Sequence, residues 1–136
     1  MLYPMFMMVM LTFIILLFTF RVRSGSVRSG EVPIKYFSVY QGDHVPEIVH
    51  KTSRHFSNLF EIPVLFYVAG LLYLTLDQTG SFAINCAWAF VASRIVHTCI
   101  HLGYNNVIHR AIVYAIGVIC VLAMWINILI NAETGI

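Results

Sequence analysis

The chain begins with an apolar run over residues 2–20 that contains no charged side chain. An α-helix rises about 1.5 Å per residue, so a run of this length spans the roughly 30 Å hydrocarbon layer of a bilayer. Three further segments have sufficient length and hydropathy, at residues 55–76, 82–103 and 111–131. We therefore predict an all-α membrane protein, in which residues 1–136 form one bundle of four transmembrane helices. The first span is expected to be retained, because it lacks the basic region and cleavage site of a secretory signal.

Composition excludes other classes of protein. Hydrophobic residues make up 60% and charged residues 10% of the chain, whereas soluble domains are about half apolar and about one quarter charged. A formal net charge of +2 is too small for the basic face of a nucleic-acid-binding protein, so we expect no nucleic-acid partner. The three cysteines, Cys86, Cys99 and Cys120, lie in apolar segments and are predicted to be small buried hydrophobic residues.

The basic residues predict the orientation in the membrane. Seven of the eight Lys and Arg residues fall in two connections, at residues 21–54 and 103–110. The positive-inside rule places such connections in the cytoplasm, so both termini are expected outside it. Residues 21–53 are predicted to be a cytoplasmic loop because Gly, Ser and Pro are frequent near its start, and the second helix is predicted to begin from about Pro46.

Ionisable residues within the second and third spans indicate a functional site. A helical period brings four polar residues of the second span to one face: Arg54, Ser57, Asn58 and Glu61. The third span carries a similar stripe formed by Arg94, His97 and His101. Charged groups inside a membrane almost always face protein, water or a partner charge. We therefore predict a polar cavity that opens to the cytoplasm.

Two local features leave alternatives open. Glu61 and Arg94 could instead form a structural ion pair, although the further polar residues favour a binding cavity. Pro63 is expected to bend or loosen the second helix, because it removes one N–H and blocks the hydrogen bond that the Leu59 carbonyl would accept. The alternative is a proline that the membrane helix tolerates.

Two stretches of the sequence resemble a known family. RHFSNLFEIPVLFYVAGLLY (residues 54–73) carries the pattern R-x-x-x-N-x-x-E, and AWAFVASRIVHTCIHLGYNNVIHR (residues 87–110) carries R-x-x-H-x-x-x-H and ends at Arg110. Together with the chain length and the four-span layout, they resemble the MAPEG superfamily, the membrane-associated proteins in eicosanoid and glutathione metabolism. The chain looks like a bacterial-type member, a multi-pass protein of the inner membrane.

The resemblance implies a homotrimer of four-helix protomers, with glutathione bound as co-substrate between neighbouring protomers at the cytoplasmic side. Carried over by motif, the glutathione-binding residues are Arg54, Asn58, Glu61, Arg94, His97 and His101. Arg110 would stabilise the thiolate, and Arg21 matches a basic position near the sulfur, with Arg23 as its rival. The implied activity is that of a transferase or peroxidase, which conjugates or reduces lipophilic electrophiles or hydroperoxides. Membrane lipids and a lipophilic small molecule are the implied partners.

Three positions depart from the catalytic members of that family and leave enzymatic activity open. His101 stands where those members have a tyrosine that packs against glutathione. Ser57 replaces an arginine of the prostaglandin-synthase branch, and Ala111 replaces a serine. The alternative is a non-catalytic membrane protein that binds a lipid or presents it to a partner.

Two chemistries outside that resemblance also fit the polar residues. His97 and His101, at i and i+4, could share a metal with Glu61, but histidines on a polar face are more often hydrogen-bonded, so no metal is assigned. The second such chemistry is proton-coupled transport, in which Glu61 would carry the proton. His50 and His55 lie near helix ends and are expected to be ordinary interfacial histidines.

Overall fold

The computed structural model describes residues 1–40 and 45–134, so residues 41–44 of the predicted loop lie outside the described residues. The described residues form six helices: α1 (Leu2–Arg28), α2 (Tyr36–Val39), α3 (Glu47–Asn58), α4 (Ile62–Thr75), α5 (Ser81–Leu102) and α6 (Val107–Thr134). Four stretches are long and apolar enough to cross a membrane: Leu2–Arg28, Glu47–Thr75, Ser81–Leu102 and Val107–Glu133. The second contains both α3 and α4. A helical architecture with four candidate membrane-spanning helices is therefore as predicted.

The first helix is longer than the apolar run that predicts it. Residues 21–28, predicted as the start of the loop, continue α1. The Ser and Gly residues between the arginines do not interrupt its backbone hydrogen bonds. The helix ends where the Ser29 N–H donates to the Gly25 carbonyl at 2.9 Å and Gly30 adopts a φ of +76°. The connection between the first two spans therefore covers only residues 29–46.

The second span is broken near its middle. α3 and α4 are separated by a short break that includes Glu61, whose φ is −96° and ψ is −99°. In a continuous helix the Pro63 ring would meet the Leu59 carbonyl, which would also lack an N–H partner, so the predicted loosening is confirmed. The predicted single face, with Glu61 in helical register with Arg54 and Asn58, is wrong because the backbone leaves the helix before Glu61.

α5 lies at the centre of the bundle and packs most extensively against α6. Gly117 allows this close approach, because a Cβ at Gly117 would lie 2.8 Å from Ser93 Oγ. The rings of Phe66 and Phe90 stack with their centroids 4.5 Å apart between α4 and α5. In the most apolar stretch of α5, 50% of the residues are buried, against 17% in α1 and 22% in α6. The outer helices therefore turn most of their apolar surface away from the bundle, where lipid can cover it.

The cysteines divide into two groups. Cys86 and Cys120 are half-buried, whereas Cys99 is exposed, so the prediction of burial is wrong for Cys99. The reason is its helical position. Cys99 lies two residues from both His97 and His101, which are buried, and a step of two residues turns a side chain to the opposite side of the helix.

Candidate functional site

Three buried histidines lie together between α3 and α5. The ring centroid of His55 lies 5.0 Å from that of His101 and 5.8 Å from that of His97, and the His97 and His101 centroids are 5.8 Å apart. Each residue exposes 3% of its surface or less. His97 and His101 are about one turn apart and therefore share a face of α5, which α3 covers with His55. We refer to these three residues as the histidine cluster.

Thr98 fixes the hydrogen-bonding state of one ring in the cluster. Its hydroxyl donates to the Arg94 carbonyl at 2.8 Å, so the same oxygen accepts a hydrogen bond from His55 Nε2 at 2.9 Å. His55 Nε2 therefore carries a proton, and His55 Nδ1 is left as an acceptor. That Nδ1 atom and the ring nitrogens of His97 and His101 are buried and form no well-aligned hydrogen bond within the described part of the chain.

Arg94 lies deeper in the bundle on the same face of α5. It is 2% exposed, and its guanidinium carbon lies 4.8 Å from the ring centroid of Tyr114 and 5.4 Å from that of Phe90. Two of its nitrogens, Nε and Nη2, are buried without a hydrogen bond to any residue that the structure describes. A guanidinium packed between two aromatic faces therefore keeps two donors that the described residues do not use.

Glu61 and Arg94 do not form the ion pair that the sequence left open. Among residues 1–40 and 45–134, the observed ion pair joins Lys51 to Glu47 at 2.9 Å. Tyr114 instead lies between Glu61 and Arg94. Its hydroxyl donates to Glu61 Oε2 at 3.4 Å, while its ring faces the guanidinium. The Glu61 side chain is exposed, so its carboxylate is accessible.

Two cavities share Arg110. The larger, about 320 Å³, is lined in part by Lys51, Arg54, His101 and Arg110. The smaller, about 180 Å³, is lined in part by Asn58, His97, Arg110 and Tyr114. The histidine cluster contributes one ring to each cavity. The two cavities therefore lie on either side of Arg110, and each contacts the histidine cluster.

The beginning of α6 positions Arg110. Asn106 caps this helix, because its Oδ1 accepts hydrogen bonds from the N–H groups of Ile108 (3.0 Å) and His109 (3.1 Å). In the same turn, Arg110 Nη1 donates to Asn105 Oδ1 at 2.9 Å. The first turn of a helix carries partial positive charge and attracts anions, so a cation there is unfavourable by itself. An arginine held in this position indicates a site for an anionic group.

Arg23, rather than Arg21, faces a cavity next to this region. That cavity, about 310 Å³, is lined in part by Arg23, His50 and Arg54, and His50 and Arg54 also line the larger cavity described above. Arg23 Nη2 donates to Ser53 Oγ at 3.0 Å. Arg21 is exposed at the surface of α1. Within the protomer, the structure therefore brings Arg23 and not Arg21 towards the other cations.

The prediction that His55 is an ordinary interfacial histidine is wrong, because α5 covers it. A signal for its burial was present. Val49, Thr52 and His55 recur every three residues and are the buried residues of α3, whereas Arg54 is exposed.

Tyr114 was not singled out from the sequence at all, although it touches Glu61, Arg94 and His97. Its position four residues after Arg110 places both side chains on one face of α6. That spacing was the signal available in the sequence.

The metal alternative is not supported by the geometry. Among the residues that the structure describes, no three His, Cys, Asp or Glu side chains converge as metal ligands. His97 and the Arg94 guanidinium also pack on the same Tyr114 ring. A fixed positive charge this close to the cluster disfavours a metal cation and favours an anion.

A comparison with family models identifies the protein class. The model of the MAPEG family matches residues 1–130. The chain belongs to the MAPEG family. The match includes both stretches that carry the resemblance in the sequence, and it extends into all four candidate membrane spans. A search of the curated proteins finds no match to this MAPEG protein.

Proposed function

We propose that this MAPEG protein binds glutathione at the cytoplasmic ends of its helices and directs the thiolate at a lipophilic electrophile or hydroperoxide. The observation that carries the proposal is that His97 and His101, whose ring nitrogens form no well-aligned hydrogen bond within the described part of the chain, line two cavities that share Arg110. Buried polar groups in proteins are nearly always satisfied. These buried donors and acceptors therefore support a polar ligand at this place.

The charges around the cavities fit those of glutathione. Its two carboxylates favour guanidinium groups, which can donate two parallel hydrogen bonds to a carboxylate. Arg54 and Arg110 line the larger cavity together with Lys51. Its ammonium group favours a carboxylate, and Glu61 is the exposed carboxylate next to Tyr114. Glu47 also lines the larger cavity and pairs with Lys51, so we assign Arg54 to a carboxylate of the peptide and Glu61 to its amine.

Arg110 is the residue that we assign to thiolate stabilisation. A thiol is nucleophilic only as its thiolate, and a nearby guanidinium favours the charged form. The first turn of α6 adds partial positive charge at the same place, and Asn105 holds the guanidinium through a 2.9 Å hydrogen bond. Arg23 is the second cation that we place near the sulfur, in preference to Arg21.

Ligand binding is tested by calorimetric titration of the purified protein with glutathione in a nonionic detergent. Arg110→Ala is expected to weaken binding at least tenfold, because a hydrogen bond to a charged group contributes about 1.5–3 kcal/mol. Lys35→Ala is the matched control, since it removes an exposed cation from the same basic connection. No binding by the wild-type protein, or equal binding by both variants, would contradict the proposal.

Turnover is tested separately with a spectrophotometric conjugation assay that uses a model aromatic electrophile. The wild-type rate is expected to exceed the solution rate, and Arg110→Ala is expected to lose most of that excess. Glutathione binding without turnover would support the second candidate, a non-catalytic MAPEG protein that binds or presents a lipid. The specific observation that favours this candidate is His101, which lies in the buried histidine cluster at the position where catalytic relatives have a tyrosine.

Assembly and orientation form part of the same proposal. We propose a homotrimer, in which a neighbouring protomer completes the glutathione site, with both termini outside the cytoplasm of a bacterial inner membrane. Native mass spectrometry from micelles should give three times the protomer mass. Reporter fusions at residue 30 and after residue 134 should fall on opposite sides of the membrane, with residue 30 inside. A monomer that binds glutathione fully would contradict the shared site.

A further inference from the structure

An apolar groove with a basic end lies beside the last two turns of α1, away from the histidine cluster. It has a volume of about 440 Å³, and its apolar lining consists of Phe20, Val27, Ile34 and Phe37, while Arg23 and Arg28 add positive charge to the lining. Phe20 is 66% exposed and Ile34 is 75% exposed. Large apolar side chains are thus presented beside guanidinium groups, which is the arrangement expected for an amphiphilic ligand with an anionic head.

The groove lies at the level of the lipid headgroups. The uncharged run ends at Phe20, so the edge of the hydrocarbon layer lies near that residue. At about 1.5 Å per residue, Arg23 lies about 5 Å and Arg28 about 12 Å beyond Phe20 along the helix. Side chains on a helix tilt towards its N-terminus, which for α1 is the membrane side. The exposed Arg28 can therefore reach the phosphate layer, whereas the Arg23 guanidinium donates to Ser53 and lies 5.5 Å from the ring centroids of Phe37 and Tyr40.

The charge of this region matches an anionic headgroup. Residues 21–40 contain four basic side chains, Arg21, Arg23, Arg28 and Lys35, against one acidic side chain, Glu31. Arg23 Nε is buried without a hydrogen bond in the part of the chain described, and Ser24 adds a hydroxyl to the lining. Basic pockets on the cytoplasmic side of transmembrane helices bind anionic lipid headgroups.

We propose that this groove binds one anionic phospholipid of the cytoplasmic leaflet. Arg28 holds the phosphate, with the positive charge of Arg23 beside it, and an acyl chain covers Phe20 and Ile34. The apolar wall argues for a complete lipid, because a free phosphate compound would leave that wall uncovered. Because Arg23 also lines the neighbouring 310 Å³ cavity with Arg54, where we place it near the sulfur of glutathione, the lipid is titrated without glutathione and the result does not depend on glutathione binding.

The proposal is tested with lipids of matched acyl chains. Phosphatidylglycerol and phosphatidylcholine, each with two oleoyl chains, are titrated into delipidated wild-type protein in a nonionic detergent, and bound lipid is counted by native mass spectrometry. One phosphatidylglycerol is expected to bind at least tenfold more tightly than phosphatidylcholine. Arg28→Gln should reduce that preference about fivefold, since one basic residue near an anionic surface contributes about 1 kcal/mol.

Two further variants separate this site from general attraction to negative lipids. Lys51→Gln removes the same charge from a residue that lines a different cavity and should leave the affinity for phosphatidylglycerol unchanged. Ile34→Asn changes an exposed side chain, so it leaves folding intact. It should weaken the binding of both lipids, because it removes apolar surface that an acyl chain would cover. The proposal would be overturned if Arg28→Gln and Lys51→Gln lost the same amount of affinity for phosphatidylglycerol. It would also be overturned if the wild-type protein showed no preference for phosphatidylglycerol over phosphatidylcholine. Inorganic phosphate that displaces the lipid at millimolar concentration would overturn the assignment to a lipid.

Discussion

The Tyr114 hydroxyl donates a 3.4 Å hydrogen bond to Glu61 Oε2, and this contact joins α6 to the break between α3 and α4. The same ring lies 4.8 Å from the guanidinium carbon of Arg94. One aromatic side chain therefore separates the carboxylate from the cation that the sequence pairs with it. Each of the two charges keeps capacity for a ligand because they do not neutralise each other directly.

Replacing Tyr114 should distinguish its ring from its hydroxyl. Tyr114→Leu removes the aromatic face from a buried guanidinium, and a desolvated cation–π contact is worth about 2 kcal/mol. Tyr114→Phe keeps that face and loses only a long hydrogen bond, so it should destabilise the protein by less than about 1 kcal/mol. The loss of stability in each variant is measured from unfolding in mixed micelles, followed by tryptophan fluorescence. Equal midpoints for the two variants would contradict the role of the ring.

Thr98→Val should destabilise the bundle by about 1–3 kcal/mol, because the shape is kept while His55 Nε2 loses its buried partner. Thr75→Val is the matched control. The Thr75 hydroxyl also donates to a backbone carbonyl of its own helix, Leu71 O at 2.8 Å, but it is exposed and touches no histidine. The free energy of unfolding of the two variants is compared in the same micelles. Similar losses of unfolding free energy in the two variants would show that the hydrogen bond from His55 to Thr98 contributes nothing to stability.

Gly117→Ala should destabilise the contact between α5 and α6 by about 1 kcal/mol or more, the usual cost of an added methyl group in a packed interface. The new Cβ would lie 2.8 Å from Ser93 Oγ, which already donates to the Phe90 carbonyl at 2.7 Å. Gly25→Ala is expected to have the opposite effect on stability. Nothing lies within 4 Å of a Cβ at Gly25, so alanine should stabilise the helix by about 0.4–1 kcal/mol. Thermal unfolding midpoints should therefore move in opposite directions.

Pro63→Ala should join α3 to α4 more continuously, since it restores an N–H for the Leu59 carbonyl and removes the ring. Hydrogen–deuterium exchange of the peptide that covers residues 57–66 should become slower. Glutathione binding should weaken, because Glu61 would move away from Tyr114. Pro33→Ala, in an exposed position of the loop, controls for the loss of a proline elsewhere. Unchanged exchange in Pro63→Ala would mean that the break does not depend on this ring.

The spans and the break follow from local sequence, but the ends of the helices do not. Apolar runs of sufficient length predict the four candidate spans, and Pro63 predicts where the second span loosens. Residues 21–28 look like a loop because Ser and Gly are frequent there. Their helical structure continues from an already formed helix of 19 residues, whose propagation costs less than its initiation.

The polar residues of the candidate site can be predicted from the sequence, but the contacts between them cannot. The helical period directly predicts that Arg94, His97 and His101 share one face of the third span. The burial of His55 depends on which face of α3 meets α5, and the separation of Glu61 from Arg94 depends on Tyr114, which is 53 residues away from Glu61 in the chain. Such long-range pairings are set by the packing of whole helices, so the spacing within one helix carries no information about them.

Arg94 enters the membrane before Tyr114, one of the two rings that cover its guanidinium, because α5 precedes α6 in the chain. An arginine at the centre of a transmembrane helix opposes insertion by about 2.5–3.5 kcal/mol, and α5 is the least apolar of the four candidate spans, with a mean hydropathy of 1.3. During biogenesis, the third span is therefore less stable in the bilayer until α6 brings Tyr114 to Arg94. A chain whose synthesis stalls between these two helices would keep Arg94 without the Tyr114 ring, and we expect quality-control proteases to degrade it faster than the complete chain.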